Sequence, residues 1–296
     1  MLSRMLLALA IAPALVAPAV AAGAAPSPRL PASAFSYDAR APLAVKIART
    51  WHDGSVTFEE LTFAGGGKRI HAQVVLPKGA SPHPGVLFVH WLGDPKTTNL
   101  TEFVPDARSL AAGGVASVLV DAMWAQPHWF DELRSTSTDY SASIAQVVAL
   151  RRALDLLEAQ PNVESSEIAY VGHDFGAMYG AILSAVDPRP KYYVLMAGVP
   201  TLTEWYLLGA PPKDKTQYAQ QMRVLDPIDF LTQSSARHFL FQYALKDEYV
   251  PLAEAERFAS SAPGERAAYF YVSDHKLGQP EIAADRLAWL KARLHL

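Results

Sequence analysis

The feature that most constrains this chain is a series of short apolar runs separated by stretches of helical period. Val86-Leu87-Phe88-Val89-His90, Ile168-Ala169-Tyr170-Val171-Gly172, Tyr192-Tyr193-Val194-Leu195-Met196-Ala197 and Phe239-Leu240-Phe241-Gln242-Tyr243 are too short for buried helices. They are too continuously apolar for strands with one wet face, so they read as strands covered on both sides. Residues 115–121 and 268–272 extend the series. Between them, residues 103–112, 141–159 and 175–185 place apolar side chains at helical spacing, and residues 283–294 do so at the C-terminal end. Strands alternating with helices predict an α/β fold with a mostly parallel sheet and helices on both faces. Two further runs, 59–64 and 70–77, flank Gly65-Gly66-Gly67 and predict an antiparallel hairpin at the N-terminal edge. There is no internal repeat and no second core, so residues 51–296 are expected to form one domain. The one long inter-strand stretch, 198–235, holds Trp205, Tyr206, Pro211, Pro212 and Tyr218 and predicts a small lid or an elaborated loop.

Residues 1–25 differ in kind. Arg4 precedes Met5-Leu6-Leu7-Ala8-Leu9-Ala10-Ile11-Ala12, and small residues follow, with Ala19-Val20-Ala21 as a cleavage option. This is the pattern of a signal peptide, and it predicts export to a periplasm or beyond. The alternative, an uncleaved anchor, is opposed by Pro13 and Pro18 within the run. Residues 26–50 are then an N-terminal extension, flexible to about residue 35. Net charge is −3 with no Lys/Arg cluster, which gives nucleic acid or an anionic membrane no electrostatic footing. No integral membrane segment is expected once the leader is removed. The absence of cysteine excludes disulfides and thiolate nucleophiles. No His-x-x-x-His or similar spacing occurs, so neither a metal nor a cofactor is expected, and the partner is expected to be a small-molecule substrate. The oligomeric state is not legible.

Gly172-His173-Asp174-Phe175-Gly176 lies between an expected strand and an expected helix. Glycines at the first and fifth positions permit a tight turn that presents the central residue in a strained, exposed conformation at a helix N-terminus. Here the chain resembles the α/β-hydrolase superfamily, and within it the dienelactone-hydrolase-like and prolyl-oligopeptidase-like esterases. The resemblance runs over about residues 58–294. Phe88-Val89-His90 is similar to the strand that leads to the oxyanion loop. Leu225-Asp226-Pro227 and Lys246-Asp247-Glu248-Tyr249-Val250-Pro251 are similar to the acid region, and Asp274-His275 to the histidine loop. The order nucleophile, acid, histidine matches that fold.

The departure is at the nucleophile. Those esterases carry serine where this chain has Asp174, and aspartate there resembles haloalkane dehalogenases and epoxide hydrolases. Phe175 replaces the tryptophan usual in that motif, and His90-Trp91-Leu92-Gly93-Asp94 lacks the usual His-Gly-x-Pro form. The resemblance implies Asp174 as nucleophile, His275 as the base that activates water, and Asp247 as the group that orients His275. The N–H of Phe175, with that of Trp91 or Leu92, is the expected oxyanion hole. Leaving-group donors are sought among Trp91, Trp124, Trp129, Trp205, Tyr206 and Tyr218. His90, Asp121, Trp124, Trp205 and Tyr206 are expected pocket residues, while His173 is expected to orient the loop. Two other readings stay open: a carboxylic-ester hydrolase in which Asp174 assists water, and a non-catalytic hydrolase-fold binding protein.

Overall fold

The computed structural model describes residues 29–209 and 212–296. The expected leader, residues 26–28 and Pro211 lie outside the described residues. Among the described residues the nine strands are β1 (Lys46–Asp53), β2 (Val56–Ala64), β3 (Arg69–Leu76), β4 (His83–Val89), β5 (Ala116–Val120), β6 (Val163–His173), β7 (Pro190–Met196), β8 (His238–Ala244) and β9 (Glu265–Tyr271). They form one sheet in the order β1-β2-β3-β5-β4-β6-β7-β8-β9. Pairing is antiparallel from β1 through β3 to β5 and parallel from β5 to β9. The α/β class, the parallel sheet and the antiparallel N-terminal hairpin all agree with expectation. Of the strands that read as continuously apolar, β5 is buried at every residue and β4 at all but Pro84. By contrast β9, at the far edge of the sheet, is only half-buried and Val272 just beyond it is exposed, because an edge strand is covered less completely.

Helices α1 (Val104–Ala112), α2 (Asp139–Glu158), α3 (Phe175–Val186) and α8 (Pro280–Arg293) fall where helical period places them. A further helix, α7 (Leu252–Ser261), buries Ala255, Phe258 and Ala259 along one narrow stripe. The long insertion is a lid of three short helices, α4 (Leu202–Tyr206), α5 (Lys215–Met222) and α6 (Pro227–Leu231). Asp226, one of the acids singled out by resemblance, belongs to this lid. Its Oδ1 accepts hydrogen bonds from the Thr203 N–H at 3.2 Å and the Thr203 hydroxyl at 3.1 Å, which ties the start of α4 to the start of α6. Among the described residues no helix is long and apolar enough to cross a membrane.

The N-terminal segment departs from expectation. β1 begins at Lys46, inside the stretch read as an extension, and pairs with β2 from Lys46↔Thr62 to Asp53↔Val56. It is an edge strand, exposed along nearly its whole length, so it lacks the apolar alternation that betrays a half-buried strand. Residues 32–35, read as flexible, form a short 3-10 turn that buries Phe35 completely, edge-on to Phe230 at 5.8 Å. Burying one phenylalanine favours docking of the segment by about 1.5–3 kcal/mol.

Candidate active site

The ends of β4, β6, β8 and β9 bring four loops to one rim, as parallel sheets generally do at the carboxyl ends of their strands. At the end of β6, Asp174 has φ 55° and ψ −116°, a left-handed conformation that costs a non-glycine residue about 1–3 kcal/mol. Its backbone N–H donates to the Met196 carbonyl at 2.8 Å, which anchors the elbow to β7. The flanking glycines are required sterically. A Cβ on Gly172 would overlap the Gly176 carbonyl, and one on Gly176 would overlap the Val89 carbonyl.

The carboxylate of Asp174 is buried, with 2% of the residue exposed. Its Oδ2 accepts the Leu92 N–H at 3.0 Å, and its Oδ1 is buried without a partner. Burial pushes its pKa up to about 6, against the opposing pull of His275 and of the Leu92 and Phe175 N–H groups. His275 follows β9 and is 4% exposed. Its Nδ1 lies 3.0 and 2.9 Å from the two Asp247 oxygens, so this nitrogen carries the proton and donates to the carboxylate. Burial alone would lower the His275 pKa. The Asp247 bond and the Asp174 charge outweigh it and hold the pKa above the ordinary value. Asp247 follows β8, and its Oδ1 also accepts the Tyr249 and Val250 N–H groups at 2.9 and 3.0 Å. Burial works against its charge, but the His275 bond and these two N–H groups carry its pKa below the usual carboxylate value.

The loop after β4 holds Trp91 and Leu92, which the sequence left as alternatives, in different surroundings. The Leu92 N–H points at Asp174, whereas the Trp91 N–H donates to Glu102 Oε2 at 3.0 Å and is not free to hold an oxyanion. The Trp91 indole instead meets His275 edge-on, with ring centres 5.8 Å apart. From the lid, Trp205 stacks on His275 at 6.0 Å, and Tyr249 meets the same imidazole edge-on at 5.1 Å.

Other expected pocket and leaving-group residues have hydrogen-bond or packing partners of their own. His90 is buried; its Nε2 accepts the Ala122 N–H at 3.1 Å and its Nδ1 therefore donates to the Trp91 carbonyl at 2.8 Å. Burial lowers the His90 pKa, consistent with a neutral brace inside the rim. Trp124 is 1% exposed and spends its indole N–H on the His90 carbonyl at 3.2 Å, while its ring stacks on Phe175 and Tyr179. The Tyr206 hydroxyl bonds the Tyr179 hydroxyl at 2.8 Å, and the Tyr218 hydroxyl donates to Asp139 at 2.7 Å. None of these three has a group left for a leaving atom. Asp121 turns to His71 on β3, with 3.3 Å between Oδ2 and Nδ1. Trp129 meets Phe175 edge-on at 5.8 Å and borders the aromatic cluster. Among the described residues no cluster of three or more metal-ligating side chains occurs.

Two contributors escaped the sequence. Glu102, just before α1, contacts His173 at 2.6 Å across 71 positions of sequence. No local pattern marks it. Tyr249 lies inside the acid-loop motif, but nothing in its spacing indicates a ring packed against the imidazole.

No family model matches the sequence, and no curated sequence matches it. Solved structures do. An acetyl xylan esterase from Paenibacillus sp. R4 is similar with a TM-score of 0.72 and 17% identity, covering 88% of this chain and 92% of that one. Acetyl xylan esterase 1 from Thermoanaerobacterium sp. JW/SL YS485 is similar at a TM-score of 0.68 and 14% identity, over 85% and 88% of the two chains. A 2,6-dihydroxy-pseudo-oxynicotine hydrolase is similar at 0.62 and 19% identity, over 80% of this chain and 68% of that one. With the strand order, these likenesses show that the chain has the α/β-hydrolase fold.

Proposed function

We propose that the chain is a hydrolase in which Asp174 is the nucleophile, His275 the general base and Asp247 the residue that orients and stabilises His275. The observation that carries this reading is the asymmetry of Asp174. One oxygen is fixed by the Leu92 N–H, while the other is buried, unpartnered and held on a strained elbow. An oxygen stripped of solvation partners is more nucleophilic and reaches an electrophilic carbon without first shedding water. Attack by Oδ1 forms an alkyl ester and expels the leaving group with its bonding electrons. His275 Nε2 then takes a proton from water, and the hydroxide adds to the Asp174 carboxyl carbon. The resulting oxyanion sits on the Leu92 and Phe175 N–H groups. Collapse expels the alkoxide, which takes back the proton from the His275 imidazolium to leave as the alcohol. The carboxyl proton passes to solvent to regenerate the carboxylate.

One feature makes the sequence self-timing. While Asp174 is charged it favours protonated His275; alkylation removes that charge and lowers the His275 pKa, so the ring gives up its proton and stands neutral when a base is needed. The aromatic surround formed by Phe175, Trp205 and Trp91 suits an apolar or aromatic substrate of small size.

A second reading, carboxylic-ester hydrolysis with Asp174 directing a water molecule, draws on the likeness to acetyl xylan esterases. Direct attack of a carboxylate on an acyl group would give a labile anhydride, so that reading requires water as nucleophile. The Asp247–His275 bond speaks against a binding-only protein, which has no use for a relay. Export remains part of the proposal and is checked by N-terminal sequencing of the mature protein.

The deciding experiment is intact mass spectrometry of wild type and His275→Ala after incubation with p-nitrophenyl esters, epoxides and haloalkanes. The variant is expected to stall as an alkyl adduct that maps to Asp174. Ester turnover by wild type with no adduct on the variant would transfer the case to the water mechanism. No turnover and no adduct on any compound would favour the binding-only protein.

A further inference from the structure

Behind the proposed triad lies a second acid–histidine pair, and we propose that Glu102 and His173 are positioning residues that lock the oxyanion loop to the histidine loop. This inference rests on the catalytic reading of Asp174 given above. His173 is fully buried within the elbow, directly before Asp174. Its Nε2 lies 3.0 Å from the main-chain carbonyl of His275. A carbonyl oxygen only accepts, so that nitrogen carries a hydrogen. Its Nδ1 lies 2.6 Å from Glu102 Oε1. Two lone pairs cannot face each other at that distance, so a further proton sits between ring and carboxyl. The pair is therefore neutral overall, which is how an acid and an imidazole can be buried beside Asp174 without adding a second uncompensated negative charge.

The second carboxyl oxygen of Glu102 completes the link by accepting the Trp91 N–H at 3.0 Å. One carboxylate and one imidazole thus join three loops, those that follow β4, β6 and β9. The loops carry the three groups whose register the reaction needs: the Leu92 N–H, Asp174 and the His275 ring. Tilted ring contacts reinforce the link, with Trp91 against His173 at 5.6 Å and His173 against His275 at 5.7 Å. Glu102 touches neither Asp174 nor the His275 side chain through a hydrogen bond, so its effect on turnover acts through placement.

The test compares full-length wild type, Glu102→Ala and Glu102→Gln, beginning with NMR of the resting proteins labelled with nitrogen-15. Wild type is expected to show a far-downfield His173 ring N–H, the signature of the short shared proton. Glu102→Ala loses it and shifts the Leu92 amide and His275 ring resonances. Glu102→Gln also loses the shared proton, but its amide still accepts from Trp91 and donates to Nδ1, so the Leu92 and His275 resonances stay near their wild-type positions. With a substrate of the wild type, Glu102→Ala lowers kcat by about 10–100-fold at nearly constant KM, as a displacement of about an ångström does, and Glu102→Gln recovers most of the loss. Absence of the downfield resonance in wild type overturns the pair. So does Glu102→Ala with unmoved Leu92 and His275 resonances. Should Glu102→Ala fail to fold, the wild-type resonance and Glu102→Gln decide. A wild type that turns over no compound refutes the catalytic reading, while the resonances still judge the pair.

Discussion

The Leu92 N–H donates to Oδ2 of Asp174 at 3.0 Å and leaves Oδ1 of the same carboxylate buried with no partner. The two oxygens are thereby assigned different tasks before any substrate arrives. If Oδ1 attacks carbon, it leaves with the product, and water supplies its replacement. A single turnover in heavy-oxygen water, with enzyme in excess over a haloalkane that the protein consumes, is expected to yield a first product carrying ordinary oxygen. Mass spectrometry of the peptide containing Asp174 should then show one heavy oxygen. Heavy oxygen in the product and none in the peptide would assign the attack to water.

Burial places the Asp174 pKa at about 6, so the nucleophile ionises near there and turnover should rise as pH passes through that value. The same shift costs stability. A carboxyl with pKa near 3.9 in the unfolded chain holds its proton more tightly when folded, so folding is favoured below both values. That contribution is lost as pH rises from about 4 through about 6. Asp174→Asn keeps the shape and removes the buried charge. The variant should be more stable than wild type by roughly 2–3 kcal/mol at pH 8, and the gain should vanish near pH 3.5. Denaturant unfolding at both values measures it; equal stabilities at pH 8 would show that the buried charge is fully compensated.

What was legible follows from how each feature is encoded. The parallel strands were readable because both of their faces are buried, as with Val86 to Val89, where apolar identity is required at each position. The elbow was readable because Gly172 and Gly176 satisfy a local steric demand within five residues. β1 was not, since Arg49 and His52 on an exposed edge need only backbone pairing, which many sequences supply. Glu102 was invisible for another reason: its partners, Trp91 and His173, are assembled by the sheet. Trp124 and Tyr206 are a parallel case. Their chemistry suited a pocket, but their polar atoms are consumed by His90 and Tyr179, and only the fold reveals that.

The lid is held by Tyr218, whose hydroxyl donates to Asp139 at 2.7 Å, while Arg134 holds the same carboxylate oxygen at 2.9 Å. Removing the hydroxyl leaves Asp139 with its ion pair but unfastens α5 from the N-terminus of α2. A hydrogen bond to a charged group contributes about 1.5–3 kcal/mol, and that loss falls on the lid. Tyr218→Phe should therefore speed amide exchange within residues 215–222 by about tenfold or more, with β4 and β6 unchanged. Hydrogen exchange read by mass spectrometry resolves the two regions. Uniform acceleration across the chain would mean that Tyr218 supports the whole core.

Arg286 and Asp106 form an ion pair between α8 and α1, with both side chains 5% exposed and 2.9 Å apart. These helices follow the histidine loop and the oxyanion loop, so the pair fixes the outer frame of the site. Burial raises the Asp106 pKa even with Arg286 beside it, a sign that attraction does not fully offset the loss of water. Two opposite outcomes follow from that imbalance. Asp106→Ala strands a guanidinium whose remaining hydrogen-bond partners are the Gln242 side-chain Oε1 at 3.1 Å and the Met196 sulfur, and it should cost about 3–5 kcal/mol. Asp106→Leu combined with Arg286→Met removes both charges at similar volume and should be as stable as wild type or more so. Thermal unfolding of the single and double variants tests the pair. A double variant as unstable as Asp106→Ala would show that the pair contributes net stability after all.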